Sequence, residues 1–414
     1  MQYGLIGSVL SHSFSKEIHE KLKSNPYTLV ELSSDEFEIF LKTRNFSAIN
    51  VTMPYKTRVI PYLSHISEEA KAIGAVNTIV NRDGELWGYN TDFDGLCALI
   101  KHAKITLKNK KVAILGTGGT SKTARAVAEF LGASRIFIVT REERDGCITY
   151  DDLRDTYNDV EIIINTTPVG MYPDSKSCPL DLFYYPRLKG VIDVIYNPLQ
   201  PQLVLEAQRR GIKAEGGLYM LVAQAVRASE LFLDCTYEEG TTERIYHELL
   251  SQTENIVLTG MPGAGKTTVG RILAENLGRE FLDLDEIIVQ SAQRSISEIF
   301  ATEGERGFRK VELRILYEHL FSVKNTVIAT GGGSILLNEN VDLLRRNGKI
   351  YFIDRPLEAL VPTEDRPLAF SYEAIRRRYE ERYDRYCATA DYHINGEGTP
   401  QEVAERIRKE FLKL

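Results

Sequence analysis

The chain has 414 residues, a formal charge of −7, and 43% hydrophobic and 26% charged residues, the balance of an ordinary soluble globular protein. At ~100–200 residues per domain, this length predicts about two to four domains. The acidic charge is spread over both halves and leaves no basic face for nucleic acid, and no apolar run approaches the ~18–20 residues that would cross a bilayer.

In chain order, short apolar runs alternate with longer helical patterns, which predicts α/β architecture throughout. The opening MQYGLIGS lacks the apolar core of a signal peptide and reads as a strand over 2–6. Further strands are predicted over 48–52, 111–115, 135–139, 162–165 and 191–194. A polar seam, Ser251-Gln-Thr-Glu254, reads as a short linker, and the pattern restarts with strands over 255–259, 326–330 and 349–353. Cys97, Cys147, Cys178, Cys235 and Cys387 are scattered without a C-x-x-C pair, which suits reduced thiols in a cytoplasmic protein.

Four polar clusters mark the first half. In Asn50-Val-Thr52-Met-Pro54-Tyr-Lys56 a strand ends at Thr52, and Pro54 suits the first turn of a following helix. Asn50, Thr52 and Lys56 would then crowd the carboxyl end of the strand, where open α/β sheets bind ligands. Gly74-Ala-Val-Asn77-Thr78 and Gly88-Tyr-Asn90-Thr-Asp92-Phe-Asp94 follow. The fourth, Gly116-Thr-Gly118-Gly119-Thr120-Ser, stands between a strand and a helical run and reads as a Rossmann-type turn, although G-x-G-G departs from G-x-G-x-x-G. After the next strand comes Thr140-Arg141-Glu142. Arg141 suits a 2′-phosphate through its fork of donors, whereas Glu142 suits a free 2′-hydroxyl; NADP is the expectation.

Over its first ~250 residues the chain resembles shikimate dehydrogenase. Ser13 and Ser15 match that family's substrate-carboxylate pair, Lys56 and Asp92 its catalytic Lys–Asp pair, and Thr52, Asn77 and Gln224 substrate-binding positions. Asn165-Thr166-Thr-Pro-Val-Gly170-Met171 is similar to the nicotinamide-side loop, Asp193-Val-Ile-Tyr196-Asn-Pro198 to the substrate-facing tyrosine turn, and Gly217 to a cofactor contact. Family members commonly read Asn-Arg-Thr where this chain has Thr140-Arg141-Glu142. The chemistry agrees: reducing a ketone leaves an alkoxide, and an ammonium beside a carboxylate supplies the proton. Lys56 is thus expected as general acid/base and Asp92 as the group that orients it and binds a substrate hydroxyl.

In the second half, Gly260-Met-Pro-Gly263-Ala264-Gly265-Lys266-Thr267-Thr268 fits G-x-x-x-x-G-K-[ST] between an apolar strand and a helical pattern. Its backbone N–H groups would cradle phosphates, Lys266 would reach the β/γ-phosphates of ATP, and Thr267 would ligate Mg²⁺. Phe281-Leu-Asp283-Leu-Asp285 alternates acid and apolar residues along a predicted strand, which puts both carboxylates on one face. Arg309 after a glycine turn, the triplet Gly331-Gly332-Gly333, Arg366-Pro-Leu and Arg382 complete an ordered set.

That set resembles shikimate kinase over ~254–414. The resemblance implies Asp283 in the Mg²⁺ shell with Thr267, and Asp285 on the substrate hydroxyls, including the one that attacks. It implies Arg309 and Arg382 on the carboxylate, Gly331 to Gly333 along the substrate, and Arg366 as a lid arginine over the phosphates. The reading is therefore three domains: 1–100 with returning helices at ~218–250, a Rossmann NADP domain at 101–217, and a P-loop parallel-sheet kinase domain at 254–414. Two consecutive reactions follow: 3-dehydroshikimate to shikimate with NADPH, and shikimate to shikimate 3-phosphate with ATP. The alternatives are a quinate/shikimate dehydrogenase fused to a kinase of another small hydroxy acid, and a ligand sensor without turnover. Only small-molecule partners are expected, and the sequence leaves the oligomeric state open.

Overall fold

The apolar runs become the strands of three sheets in the computed structural model, which describes residues 1–10, 14–24, 26–360 and 372–413. The chain divides into two compact units, Met1–Tyr246 and His247–Leu414.

The first unit holds two six-stranded sheets. One contains β1 Tyr3–Gly7, β2 Tyr27–Glu31, β3 Ala48–Val51, β4 His65–Ile66, β5 Thr78–Arg82 and β6 Glu85–Tyr89, in the order β2-β1-β3-β5-β6-β4. It is mixed: β5 runs antiparallel to β3 and β6, while the other pairs are parallel. The second contains β7 Lys111–Leu115, β8 Arg135–Thr140, β9 Ile148–Thr149, β10 Ile162–Asn165, β11 Gly190–Asp193 and β12 Lys213–Glu215, in the order β12-β11-β10-β7-β8-β9, all parallel. That is the doubly wound, Rossmann-type arrangement, with ligand sites expected beyond the carboxyl ends of the strands.

The helix Leu218–Leu233 returns to the first sheet and buries Ala228 and Phe232 with Tyr3 and Leu5. It packs closely on the helix Thr91–His102: a Cβ on Gly95 would lie 2.8 Å from the Met220 carbonyl oxygen. Only a residue without a side chain lets the two backbones approach so closely.

The second unit is built on β13 Asn255–Thr259, β14 Glu280–Asp283, β15 Thr326–Ala329, β16 Gly348–Asp354 and β17 Tyr392–Asn395, in the order β14-β15-β13-β16-β17, all parallel. Ile256, Val257 and Leu258 of the central strand are fully buried, as are Ile350 and Tyr351 beside them. Helices on both faces supply Leu273, Leu316, Leu344 and Ile407 to the same core.

The structure departs from four local expectations. The seam at 251–254 is not a loop; the helix Thr241–Thr253 runs into it, and Thr253 Oγ1 donates back to the Leu249 carbonyl at 2.7 Å. No α-helix opens at Pro54; the chain continues as consecutive turns, with Tyr55 N–H donating to the Thr52 carbonyl at 2.9 Å. The strand through Phe281 stops at Asp283, whose side chain accepts from Asp285 N–H at 3.0 Å and caps the helix Leu284–Ala292. Asp285 therefore stands in the first turn of a helix. The glycine turn before Arg309 is a break at Gly304, φ 67°, inside the helical stretch Ile296–Leu320. Among the described residues, no helix is long and apolar enough to cross a membrane, and all five cysteines are free.

Candidate active sites

In the first unit a cavity of about 370 Å³ opens at the carboxyl ends of β1 and β3. Ser15, Asn50, Thr52, Lys56, Asn77 and Asp92 line it, and Thr120, Tyr196, Gly217 and Gln224 join them. Val9 and Met53, 74% and 75% exposed, form an apolar lip that the sequence did not single out. Ser13 lies outside the described residues.

Lys56 Nζ donates to Asp92 Oδ2 at 2.6 Å, with the side chains 23% and 14% exposed. The turns after β3 carry Lys56, and its carbonyl accepts Val76 N–H at 2.8 Å, which ties this segment to the Gly74–Thr78 cluster. Asp92 sits in the first turn of Thr91–His102, where the helix N-terminus favours a carboxylate. Asn77 Oδ1 accepts from Thr91 N–H at 2.8 Å and from Thr78 Oγ1 at 3.0 Å. Thr91, which the sequence reading passed over, thus anchors Asn77, and its hydroxyl also donates to Gln224 Oε1 at 3.5 Å. Asn50 is 6% exposed, and its amide is already engaged: Oδ1 accepts from Tyr27 Oη at 2.8 Å, while Nδ2 donates to Thr78 Oγ1 at 3.0 Å. Burial pushes the Tyr196 phenol up from its ordinary pKa, and the Phe14 ring meets it edge-on at 6.0 Å.

The glycine turn after β7 leads into the helix Gly119–Phe130, which Gly118 caps. A Cβ on Gly118 or Gly119 would meet nothing within 4 Å, so the backbone faces open space at the helix N-terminus. A phosphate can approach such a face. Gly217, which lines the cavity, is also held to glycine by packing: a Cβ there would overlap the Val194 carbonyl. Thr140 ends β8, and Arg141 after it is exposed. Thr166 Oγ1 donates to the Leu115 carbonyl at 2.6 Å and pins the loop after β10 to β7.

Asn165, expected among the cofactor contacts, is fully buried, and its side-chain amide is engaged within the protein. Its Nδ2 donates to Asp193 Oδ2 at 3.0 Å and its Oδ1 accepts from Thr167 Oγ1 at 2.7 Å, so it shapes the loop from within. Burial pushes the Asp193 carboxyl up to about 7, against the opposing hydrogen bonds from Asn165 and from Ile195 N–H.

In the second unit β13 runs into the glycine loop, where Gly260, Gly263 and Gly265 have φ of 152°, 85° and 86°. Gly265 caps the helix Lys266–Leu277. Lys266, 4% exposed, donates from Nζ to the Gly260 and Met261 carbonyls at 2.8 and 3.1 Å, folded over the loop. Thr267 Oγ1 donates to Asp283 Oδ2 at 2.6 Å, which joins the two expected metal ligands. Ala264 and Thr268 lie in the same loop and helix turn. Arg366 lies outside the described residues.

Beyond β15 the glycine triplet makes room for these side chains. A Cβ on Gly331 would lie 2.7 Å from Asp285 Oδ1, one on Gly332 would lie 2.9 Å from Pro262 of the glycine loop, and one on Gly333 would overlap the Arg309 guanidinium. Arg309 and Arg382 converge on one carboxylate, Glu305 Oε1, at 3.3 and 3.6 Å. Arg309 Nη1 also donates to Glu312 Oε2 at 2.7 Å, and Arg382 Nη1 to the Gly332 carbonyl at 3.2 Å. Glu312, 1% exposed, further accepts from Ser334 Oγ at 2.5 Å and holds Arg309 from behind. The i,i+3 spacing of Arg309 and Glu312 on a helix was the signal for it.

Residues 5–79 match the family model of the shikimate dehydrogenase substrate binding domain, and residues 262–412 match that of shikimate kinase. A shikimate dehydrogenase (NADP(+)) from Clostridium perfringens is 36% identical over 264 residues, covering 60% of this chain and 97% of that protein. The chain belongs to the shikimate dehydrogenase family. Behind that part it carries a shikimate kinase domain. Among solved structures, a chorismate mutase/shikimate 5-dehydrogenase fusion from Clostridium acetobutylicum is 33% identical with a TM-score of 0.57, covering 60% of this chain and 96% of that one. A shikimate 5-dehydrogenase from Thermus thermophilus, solved with NADP(H) and shikimate, is 26% identical with a TM-score of 0.53, covering 60% of this chain and 99% of that one. The cavity with Lys56 and Asp92 lies within the shikimate-dehydrogenase-like part, and the glycine loop and paired arginines lie within the shikimate kinase domain.

Proposed function

We propose that this chain carries out two consecutive reactions, reducing 3-dehydroshikimate to shikimate and then phosphorylating shikimate to shikimate 3-phosphate. For the first, the Lys56–Asp92 pair inside a small polar cavity carries the reading. NADPH, when bound at the turn Gly116 to Thr120 with Arg141 on its 2′-phosphate, supplies the hydride; the open faces of Gly118 and Gly119 suit its pyrophosphate. The ketone oxygen takes its proton from Lys56 Nζ, while Asp92 holds the ammonium in place and accepts from a substrate hydroxyl. Ser13 and Ser15 take the substrate carboxylate. Asn77, Thr52, Gln224 and Tyr196 read the ring hydroxyls, and Asn50 keeps Thr78 and Asn77 in register.

For the second reaction, the seat of Glu305 carries the reading: two arginines already hold one carboxylate oxygen between them. A substrate carboxylate fits the same seat with charge-assisted hydrogen bonds. Asp285, lodged against Gly331, orients the attacking hydroxyl, and Lys266 neutralises charge on the transferring phosphoryl group. Thr267 and Asp283 offer two oxygens of the hard type that Mg²⁺ prefers, and the ion, when bound, supplies charge neutralisation on the phosphates. The free thiols suit a reducing cytoplasm.

Each half has its own assay. NADPH oxidation with 3-dehydroshikimate, and ADP release with shikimate, should both occur with the purified chain. Turnover of quinate in preference to shikimate would instead favour the alternative substrate reading.

A further inference from the structure

We propose that Arg355 binds the nucleotide of the kinase half at its ribose and α-phosphate end. The residue follows β16 immediately, the strand that pairs with β13 through Thr259 and Phe352 and with β17 through Asp354 and Asn395. Its Nη1 lies 4.0 Å from the point a Cβ on Gly265 would occupy, and its own Cβ lies 3.2 Å from the corresponding point on Gly396. The guanidinium therefore stands at the rim of the glycine loop, beside the residue that caps the helix Lys266–Leu277.

Two positive features meet there. Arg355 Nε is buried with no hydrogen-bond partner. A partly desolvated cation costs free energy unless it is paired, and a helix N-terminus beside it adds positive potential. An anionic ligand in the loop relieves both.

Sheet order decides which part of the ligand this is, given the kinase reading on which the inference rests. Asp285 and Gly331 to Gly333 lie beyond β14 and β15, on one side of the loop; Arg355 and Gly396 lie beyond β16 and β17, on the other. The γ-phosphate has to face the acceptor hydroxyl held by Asp285. The remainder of the nucleotide then extends across β13 toward β16 and β17, where Arg355 stands.

The test compares wild-type, Arg355→Ala and Arg355→Lys full-length chains. Kinase KM for MgATP and for shikimate is measured, and calorimetry gives the binding of MgADP and of inorganic tripolyphosphate. Arg355→Ala should raise KM for MgATP about tenfold or more and weaken MgADP in proportion, as loss of one charged hydrogen bond does. KM for shikimate should stay within about twofold, and tripolyphosphate should lose far less than MgADP. Arg355→Lys, which keeps the charge without the fork, should fall between. Unchanged MgATP and MgADP affinities in both variants would overturn the inference, and equal losses for tripolyphosphate and MgADP would overturn the assignment to the nucleoside end. A chain that binds MgADP in an Arg355-dependent way yet phosphorylates no shikimate would uphold Arg355 and overturn the kinase reading.

Discussion

Lys56 Nζ and Asp92 Oδ2 lie 2.6 Å apart although their residues come from different elements, the turns after β3 and the first turn of the helix Thr91–His102. The Thr91 N–H bond to Asn77 and the Lys56 carbonyl bond to Val76 fix those elements to each other through the intervening cluster. The Lys56 main chain is therefore tied to the helix that carries Asp92, and the ion pair holds Nζ at the end of its stem.

Lys56→Ala should lower kcat for reduction of 3-dehydroshikimate by about 10²–10⁴, the usual contribution of a general acid, and leave kinase turnover unchanged. Parallel assays of NADPH oxidation and ADP release check this. Reduction at the wild-type rate would remove Lys56 from the mechanism.

Arg141→Ala should raise KM for NADPH about tenfold to a hundredfold and leave KM for NADH nearly unchanged, because the 2′-phosphate is the difference between them. A wild-type preference for NADH would make Glu142 the deciding residue instead.

Lys266→Met should eliminate phosphorylation, whereas Arg309→Ala should raise KM for shikimate about tenfold or more with little effect on KM for ATP. A loss confined to ATP binding in Arg309→Ala would move the carboxylate seat elsewhere.

The Asp193 carboxyl, raised to about 7 by burial, binds its proton more tightly in the folded unit than in the unfolded chain. Its contribution to stability is therefore full below the ordinary carboxylate range and is lost as pH rises through about 7. Asp193→Asn should flatten the fall in denaturation midpoint of the dehydrogenase part between about pH 5 and 7, measured by denaturant titration. Parallel pH profiles for wild type and variant would contradict this.

Much of the fold was legible because its strands are apolar runs bounded by glycine and polar residues. The strands 111–115, 162–165 and 255–259 read from the sequence are β7, β10 and β13 as observed. The glycine loop was legible because phosphate binding demands glycines at fixed spacing before a helix. Long-range hydrogen bonding was not. Nothing near Asn165 in the chain announces that its amide is spent on Asp193, nor that Asn50 is spent on Tyr27 and Thr78. Asp285 read as a strand residue because alternation of acid and apolar side chains looks the same whether or not Asp283 caps a helix. Arg309 was legible, but its buried support Glu312 was visible only as a helical i,i+3 neighbour.

One chain that makes shikimate should also consume it. Purified full-length protein incubated with 3-dehydroshikimate, NADPH and MgATP, with products resolved by mass spectrometry, tests this most directly. Shikimate 3-phosphate should form, and Lys56→Ala should slow its formation from 3-dehydroshikimate by about 10²–10⁴ but not from added shikimate. Accumulation of shikimate without any phosphorylated product, or no NADPH oxidation at all, would contradict it.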